Sequence, residues 1–195
     1  MTKRLFDFIA ALLGLLVLSP LFVAVAVWIK VDSRGPVLFR QQRVGKDGAP
    51  FNIIKFRTMF DDAYESPLTI GNDRRITPVG RFLRRHKLDE FPQLINVIGG
   101  SMSLVGPRPE VPRYVDCYPP EVRSQVLSVS PGITDWASIY YKEENSLLSR
   151  ATNPEHAYLD TILPAKLKYN LRYVQERSFW NDIRIIFTTL FLLVR

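Results

Sequence analysis

The chain has 195 residues, 14 of them proline, enough for one domain with a real core and too much proline for an extended helical bundle. Its formal net charge of +7 calls for an anionic partner, whether nucleic acid, an acidic membrane surface or a phosphorylated substrate. Cys117 is the single cysteine, so an internal disulfide and a multi-cysteine metal site are both excluded, and folding in a reducing compartment fits.

From Phe8 to Ile29 no residue carries a charge, a run of about 22 residues that would cross the hydrocarbon core as one straight helix. Ser19-Pro20 sits near its middle, where proline removes a backbone hydrogen bond and clashes with the preceding turn. Lys3 and Arg4 precede the run and Lys30 and Arg34 follow it, so the distribution of basic residues does not favour a crossing. A helix-break-helix hairpin that dips into one leaflet and returns satisfies both flanks, with the Ser19 hydroxyl helping to satisfy carbonyls that Pro20 frees. A bent transmembrane helix and a signal peptide, for which Ala24-Val25-Ala26 mimics a cleavage site, are the competing readings.

Beyond Gly35-Pro36, two short strands are expected around the turn Gly45-Lys46-Asp47-Gly48, the second over Phe51 to Arg57. Alternation puts Lys55 and Arg57 on one face and Ile54 and Phe56 on the other. Asp61 to Arg75 reads as a mobile surface loop. Thr77-Pro78 has the form of an N-cap followed by proline at the first helical position. The helix it opens carries Arg81, Arg84 and Arg85 and cannot run cleanly through Pro92. A second helix starting with Asp89 as N-cap puts Pro92 in its first turn and ends at Gly99-Gly100.

The adjacent carboxylates Asp89 and Glu90 directly follow the cationic run from Arg81 to Lys87, which favours their ionised forms. The bland alternative is that Asp89 only caps, Glu90 only complements the helix dipole and the arginines are solvated. In Gly106-Pro107-Arg108-Pro109, the flanking prolines hold the backbone extended and fix the direction of Arg108, which suits phosphate or a planar group. Glu121 to Val129 reads as a short helix and Pro131 to Trp136 as a turn. Two more helices are expected, from about Pro154 to Val174 and from about Asn181 to Val194. In the last one, Ile183, Ile186, Phe187, Leu190 and Leu193 recur at helical spacing behind Phe179-Trp180, a pattern that suits a membrane interface and a core equally.

Taken together, Ser19-Pro20 in a basic-flanked apolar run, Ile54-Lys55-Phe56-Arg57-Thr58-Met59, Leu88-Asp89-Glu90-Phe91-Pro92-Gln93-Leu94, Gly106-Pro107-Arg108-Pro109 and Pro131-Gly132-Ile133-Thr134 resemble, in their order, the small monotopic phosphoglycosyl transferases, the bacterial sugar transferase family. The resemblance covers nearly the whole chain. It implies a mixed α/β, mainly helical fold in the minimal catalytic form, without the extra membrane domain of longer relatives. Residues 1–34 would be a re-entrant membrane hairpin, and 35–195 a compact cytosolic catalytic domain with a short β-hairpin and amphipathic interfacial helices. The implied reaction moves a sugar 1-phosphate from a UDP-sugar to a polyprenyl (undecaprenyl) phosphate at the bacterial cytoplasmic membrane, on its cytoplasmic side, and releases UMP.

In such enzymes the aspartate of the pair is the nucleophile, which maps onto Asp89, and the glutamate is linked to Mg2+, which maps onto Glu90. A carboxylate attacking an anionic diphosphate needs charge neutralisation, which magnesium with Lys55, Arg84 and Arg108 would supply. Arg57, Pro107, Pro109 and Lys142 complete the expected site, with Ser19 and Pro20 at the hairpin break. The chain departs from the family pattern after Thr134, reading Asp135-Trp136-Ala137-Ser138 where many relatives have Gly-Trp-Ala-Gln and a downstream arginine. Lys142 would stand in for that arginine only as a point charge. A non-catalytic basic membrane module is the alternative function. Nucleic acid is not expected as a partner, because the basic residues form no recognition helix.

Overall fold

In the computed structural model, residues 2–60, 71, 73–142 and 144–194 are described. The expected surface loop from Asp61 to Arg75 lies for its greater part, residues 61–70 and 72, outside them.

The apolar run forms helix α1 (Thr2–Asp32), which carries Pro20 inside it. The expected break is thus corrected to one continuous helical element. Proline 20 cannot donate to the carbonyl four residues back, that of Leu16, and the Ser19 hydroxyl donates to that same oxygen at 2.8 Å. The freed acceptor is thus satisfied locally.

One side of α1 is docked along its length. Asp7, Ala11, Val25 and Ile29 are buried, a Cβ on Gly14 would meet the Leu94 side chain at 3.2 Å, and Phe22 packs edge-on against Phe56 with ring centroids 5.3 Å apart. Positions 7, 11 and 14, and then 22, 25 and 29, step by three and four along one helical stripe. Ala11 joins Ile53, Val97 and Met102 in one core, and Val25 and Ile29 join Phe56, Val79 and Leu83 in another. The rest of the helix, including Leu13, Leu16, Val17, Val23 and Val31, leaves its apolar side chains exposed. By length and composition, α1 is long and apolar enough to cross a membrane.

The start of α1 is tied down by polar groups. Arg4 donates to the carbonyls of Val97 and Ile98, which are end-of-helix acceptors without intrahelical partners. The buried Asp7 carboxylate accepts from Ser103 Oγ at 2.8 Å, and Lys3 pairs with Asp182 at 2.6 Å. Burying these carboxylates is tolerable because each is hydrogen-bonded or paired.

Strands β1 (Leu38–Val44) and β2 (Pro50–Phe56) form the expected antiparallel hairpin, with Leu38 opposite Phe56 and Val44 opposite Pro50. Helix α2 (Pro78–Arg85) begins as the sequence indicates, Thr77 Oγ1 accepting from Gly80 N at 2.9 Å with Pro78 in the first turn. A short 3-10 turn (Leu88–Glu90) and helix α3 (Gln93–Ile98) follow. Asp89 is therefore not the N-cap of α3: that position falls to Pro92, and Asp89 lies buried inside the turn.

A second, parallel pair joins β3 (Ser103–Val105) to β4 (Gly132–Thr134), the latter read from sequence as part of a turn. It exists because two glycines allow the backbones to touch: a Cβ on Gly132 would fall 2.1 Å from Gly106 N. Between these strands lie α4 (Pro112–Val115) and α5 (Pro120–Val126). After β4 come α6 (Trp136–Tyr140), α7 (Glu144–Ser149), α8 (Pro154–Ala157), a π-helical turn (Tyr158–Ile162), α9 (Leu163–Glu176) and α10 (Phe179–Val194). Tyr114, Tyr158, Ile162, Leu163 and Leu167 centre the largest core. In α10 the core reading holds in part: Ile185 is fully buried with Val105 and Tyr173, while Trp180, Phe187, Leu190 and Phe191 are exposed.

Candidate active site

Three segments far apart in sequence meet around the Asp89-Glu90 pair. The hairpin brings Lys55 from the end of β2, α2 delivers the 3-10 turn, and the proline-flanked stretch after β3 brings Arg108. The turn is aimed by Lys87, which adopts φ 56°, the left-handed region usually given to glycine at a helix end. Close packing fixes α2 itself: a Cβ on Gly80 would lie 2.1 Å from the Thr58 carbonyl oxygen. One turn further on, Arg84 Nε donates to Thr58 Oγ1 at 3.0 Å.

Glu90 is held by two cations. Lys55 Nζ donates to its Oε1 at 3.0 Å and Arg108 Nη1 to its Oε2 at 2.9 Å, while Arg108 Nη2 closes the bidentate fork on Oε1. Burial alone would raise the Glu90 pKa, yet Arg108 and Lys55 together bring it well below the usual carboxylate range. Asp89, only 7% exposed, goes the other way: burial and then the neighbouring Glu90 charge raise it, against the opposing pull of Lys55 and Arg84. Lys55 is lowered by burial, with Glu90 pulling it back up. No side chain among the described residues hydrogen-bonds the Asp89 carboxylate. Two adjacent carboxylates thus sit in different environments, one held in an ion pair and one without a side-chain hydrogen bond among the described residues.

Other expected site residues sort clearly. Arg84 lies close enough to feel both carboxylates and is lowered chiefly by burial. Arg57 is corrected: it falls just past β2 and does not share Lys55's partners. Its guanidinium donates to Pro36 O at 2.6 Å, Ser33 Oγ at 2.9 Å and Ser33 O at 2.9 Å, clamping the end of α1 to the hairpin. Pro107 and Pro109 are buried, and their carbonyls accept from Gly132 N at 3.0 Å and Arg43 Nη1 at 3.2 Å, so they act as the frame of Arg108. Lys142 is exposed and pairs with neither carboxylate. Ser19 and Pro20 stand apart, exposed on α1.

A second buried network, missed in the sequence, stands behind Arg108. Glu110 Oε1 accepts from Tyr158 OH at 2.7 Å and Lys166 Nζ at 3.2 Å, and Lys166 reaches Glu144 at 3.1 Å. Arg43 joins from β1 at 3.5 Å. Burial would raise Glu110, but Lys166 and Arg43 lower it, so it is ionised and adds to the field that holds Arg108 charged. The available signal was Lys166 and Asn170 interleaved with Leu163, Leu167 and Tyr173 on the buried face of α9.

Among the described residues no cluster of three or more His, Cys, Asp or Glu side chains is assembled. A protein-built cage for a cation is therefore absent there. Mg2+ commonly binds through one or two carboxylates plus substrate phosphates, and Asp89 with Glu90 fits that donor set, since among the described residues Glu90 Oε2 accepts only from Arg108.

A model of the bacterial sugar transferase family matches residues 1–195. The UDP-glucose:undecaprenyl-phosphate glucose-1-phosphate transferase of Escherichia coli (strain K12) is 40% identical over 194 residues, covering 97% of this chain and 39% of that protein. The undecaprenyl-phosphate glucose phosphotransferase of Komagataeibacter xylinus is 42% identical over 196 residues, 96% of this chain and 35% of its own length. A UDP-glucose:undecaprenyl-phosphate glucose-1-phosphate transferase of Caulobacter vibrioides is 36% identical over 191 residues, with 96% of this chain and 67% of that protein covered. The chain spans less than two fifths of the length of the first two relatives.

Proposed function

The chain belongs to the bacterial sugar transferase family, and from that premise we propose that it moves a sugar 1-phosphate from a UDP-sugar to a membrane polyprenyl phosphate, releasing UMP. The observation that carries this reading is a buried carboxylate, Asp89, with no side-chain hydrogen bond among the described residues, next to a Glu90 paired with Lys55 and Arg108. In the first step an Asp89 oxygen attacks the sugar-bearing phosphorus, forming a new P–O bond as the bond to UMP breaks. In the second, an oxygen of the lipid phosphate attacks the same phosphorus, the Asp89–phosphorus bond breaks and the carboxylate is restored. Lys55, Arg84 and Arg108 surround this path with fixed positive charge, which matters most where water is scarce. Glu90 would hold a magnesium ion, which would supply further charge neutralisation.

Membrane placement follows from α1. Its exposed apolar surface and the exposed aromatic residues of α10 would contact lipid. Asp7 at one end is tied to Ser103 and Ile29 at the other to Val79 and Leu83, so both ends rest on the same domain. A helix crossing the bilayer would carry one of those contacts to the far side. This supports a re-entrant α1, with the catalytic domain on the cytoplasmic face where UDP-sugars are made. Reporter tags on the two termini are expected on the same, cytoplasmic side; labelling of the N-terminus from outside the cell would contradict it.

The activity test uses the full chain in detergent with polyprenyl phosphate, magnesium and a panel of UDP-sugars. UMP is expected from at least one donor, in proportion to acceptor. No release from any donor would leave a basic membrane scaffold as the better reading.

A further inference from the structure

Helix α2 has two faces. Val79, Gly80 and Leu83 are buried against the α1 and β2 core, and Arg84 is committed to Thr58 and the carboxylate pair. The other face shows Arg81, Phe82, Arg85 and His86, with Lys87 directly after, all exposed. Among the described residues none of these cations forms an ion pair, whereas Lys55, Arg108, Arg43 and Lys166 all do.

Aromatic rings run through this basic face in single file. Trp28 of α1 (44% exposed) packs on Phe82 (42% exposed) at 5.2 Å between centroids, and Phe82 packs on His86 at 4.2 Å. At one end the row joins the bare apolar surface of α1, where Val31 is 81% exposed. At the other it reaches Lys87, two residues from Asp89.

We propose that this face seats the lipid acceptor: the aromatic row takes the first units of a single long polyprenyl chain, and Arg81, Arg85 and Lys87 hold its phosphate beside the turn that carries Asp89. The assignment rests on the transfer reaction proposed above. Charge complementarity identifies the headgroup, since three cations on and just past α2, unpaired among the described residues, match a phosphate monoester. The width of the row, one ring, matches one chain and not the two of a phospholipid. Its direction, from the lipid-facing helix to the reactive carboxylate, is the direction an acceptor must travel.

The test uses Phe82→Ala and Arg81→Gln/Arg85→Gln, exposed positions outside the catalytic machinery. In detergent micelles, polyprenyl phosphate is titrated against intrinsic tryptophan fluorescence, with Trp28→Phe as the reference that isolates the Trp28 signal. A saturable change that depends on Trp28 is expected, weakened on the order of tenfold in both variants, with none from the uncharged polyprenol. In turnover, the variants should raise KM for the lipid phosphate by a similar factor and leave the acceptor-free burst of UMP unchanged. Equal binding by the variants, an equal response to phosphatidylglycerol, or a parallel loss of the UMP burst would each overturn the assignment. The binding arm needs no turnover, so a wild-type chain that binds polyprenyl phosphate here yet releases no UMP would defeat the transfer reaction alone.

Discussion

Asp89→Asn is expected to bring sugar-phosphate transfer down to background, a fall of at least about 10⁴-fold, while the protein stays folded and membrane-bound. The amide keeps the size and loses the nucleophilic charge. Stability should hold or rise, because the native carboxylate is nearly sealed from solvent, beside the Glu90 charge and without a side-chain hydrogen bond. That combination, lost activity with an unchanged or higher melting midpoint, separates a chemical role from a structural one. The same environment sets the pH dependence. Burial and Glu90 raise the Asp89 pKa, and only the ionised form attacks, so kcat/KM for the donor should fall on the acid side at a pH above an ordinary aspartate's value of about 3.9. An acid limb at or below that value would contradict the assigned environment.

Arg108→Ala should damage both activity and fold. Removing the guanidinium leaves Glu90 buried with Lys55 as its remaining cation, and a broken buried pair costs more than the pair contributed. A loss of roughly 2 kcal/mol at pH 7 is expected, below the full cost of a sealed pair because Arg108 is partly exposed. Transfer should drop at least about 100-fold, and Arg108→Lys should recover little, since a point charge cannot replace the two-oxygen fork. The sign of the pH effect follows from Glu90, whose folded pKa lies well below its unfolded value. Its contribution is present above the unfolded pKa, about 4.3, and is lost as pH falls through the folded value. The gap in thermal stability between wild type and Arg108→Ala should therefore narrow in acid; a gap that is constant from pH 7 to strongly acidic conditions would show that Glu90 is not what Arg108 stabilises.

What the sequence made legible was whatever local chemistry decides. The hairpin around Gly45 to Gly48, the Thr77 cap and the Ser19 hydroxyl beside Pro20 each depend on neighbours within a few residues. The meeting of Lys55, Glu90 and Arg108 was suggested by charge and by the family resemblance, and the fold brings them into contact. Alternation misled at Arg57, because the strand ends at Phe56 and the backbone is free to turn that side chain toward Ser33 and Pro36. Asp89 looked like a cap because aspartate commonly is one; the left-handed Lys87 instead folds it into a tight turn. The β3–β4 pair was invisible, since three-residue strands carry too little period and their contact depends on glycines 26 residues apart in sequence by direct numbering, Gly106 and Gly132. The Glu110 network joins Arg43 in β1 and Glu110 ahead of α4 to Glu144 in α7, Tyr158 in the π-helical turn and Lys166 in α9, residues too far apart in sequence for a local pattern to bring together.

The most direct measurement is the intact mass of the chain after incubation with the active UDP-sugar and magnesium and no acceptor. A mass increase of one sugar phosphate is expected, mapping by peptide fragmentation to Asp89, absent in Asp89→Asn and discharged by added polyprenyl phosphate. Full turnover with no adduct at any time, or an adduct on another residue, would contradict the account.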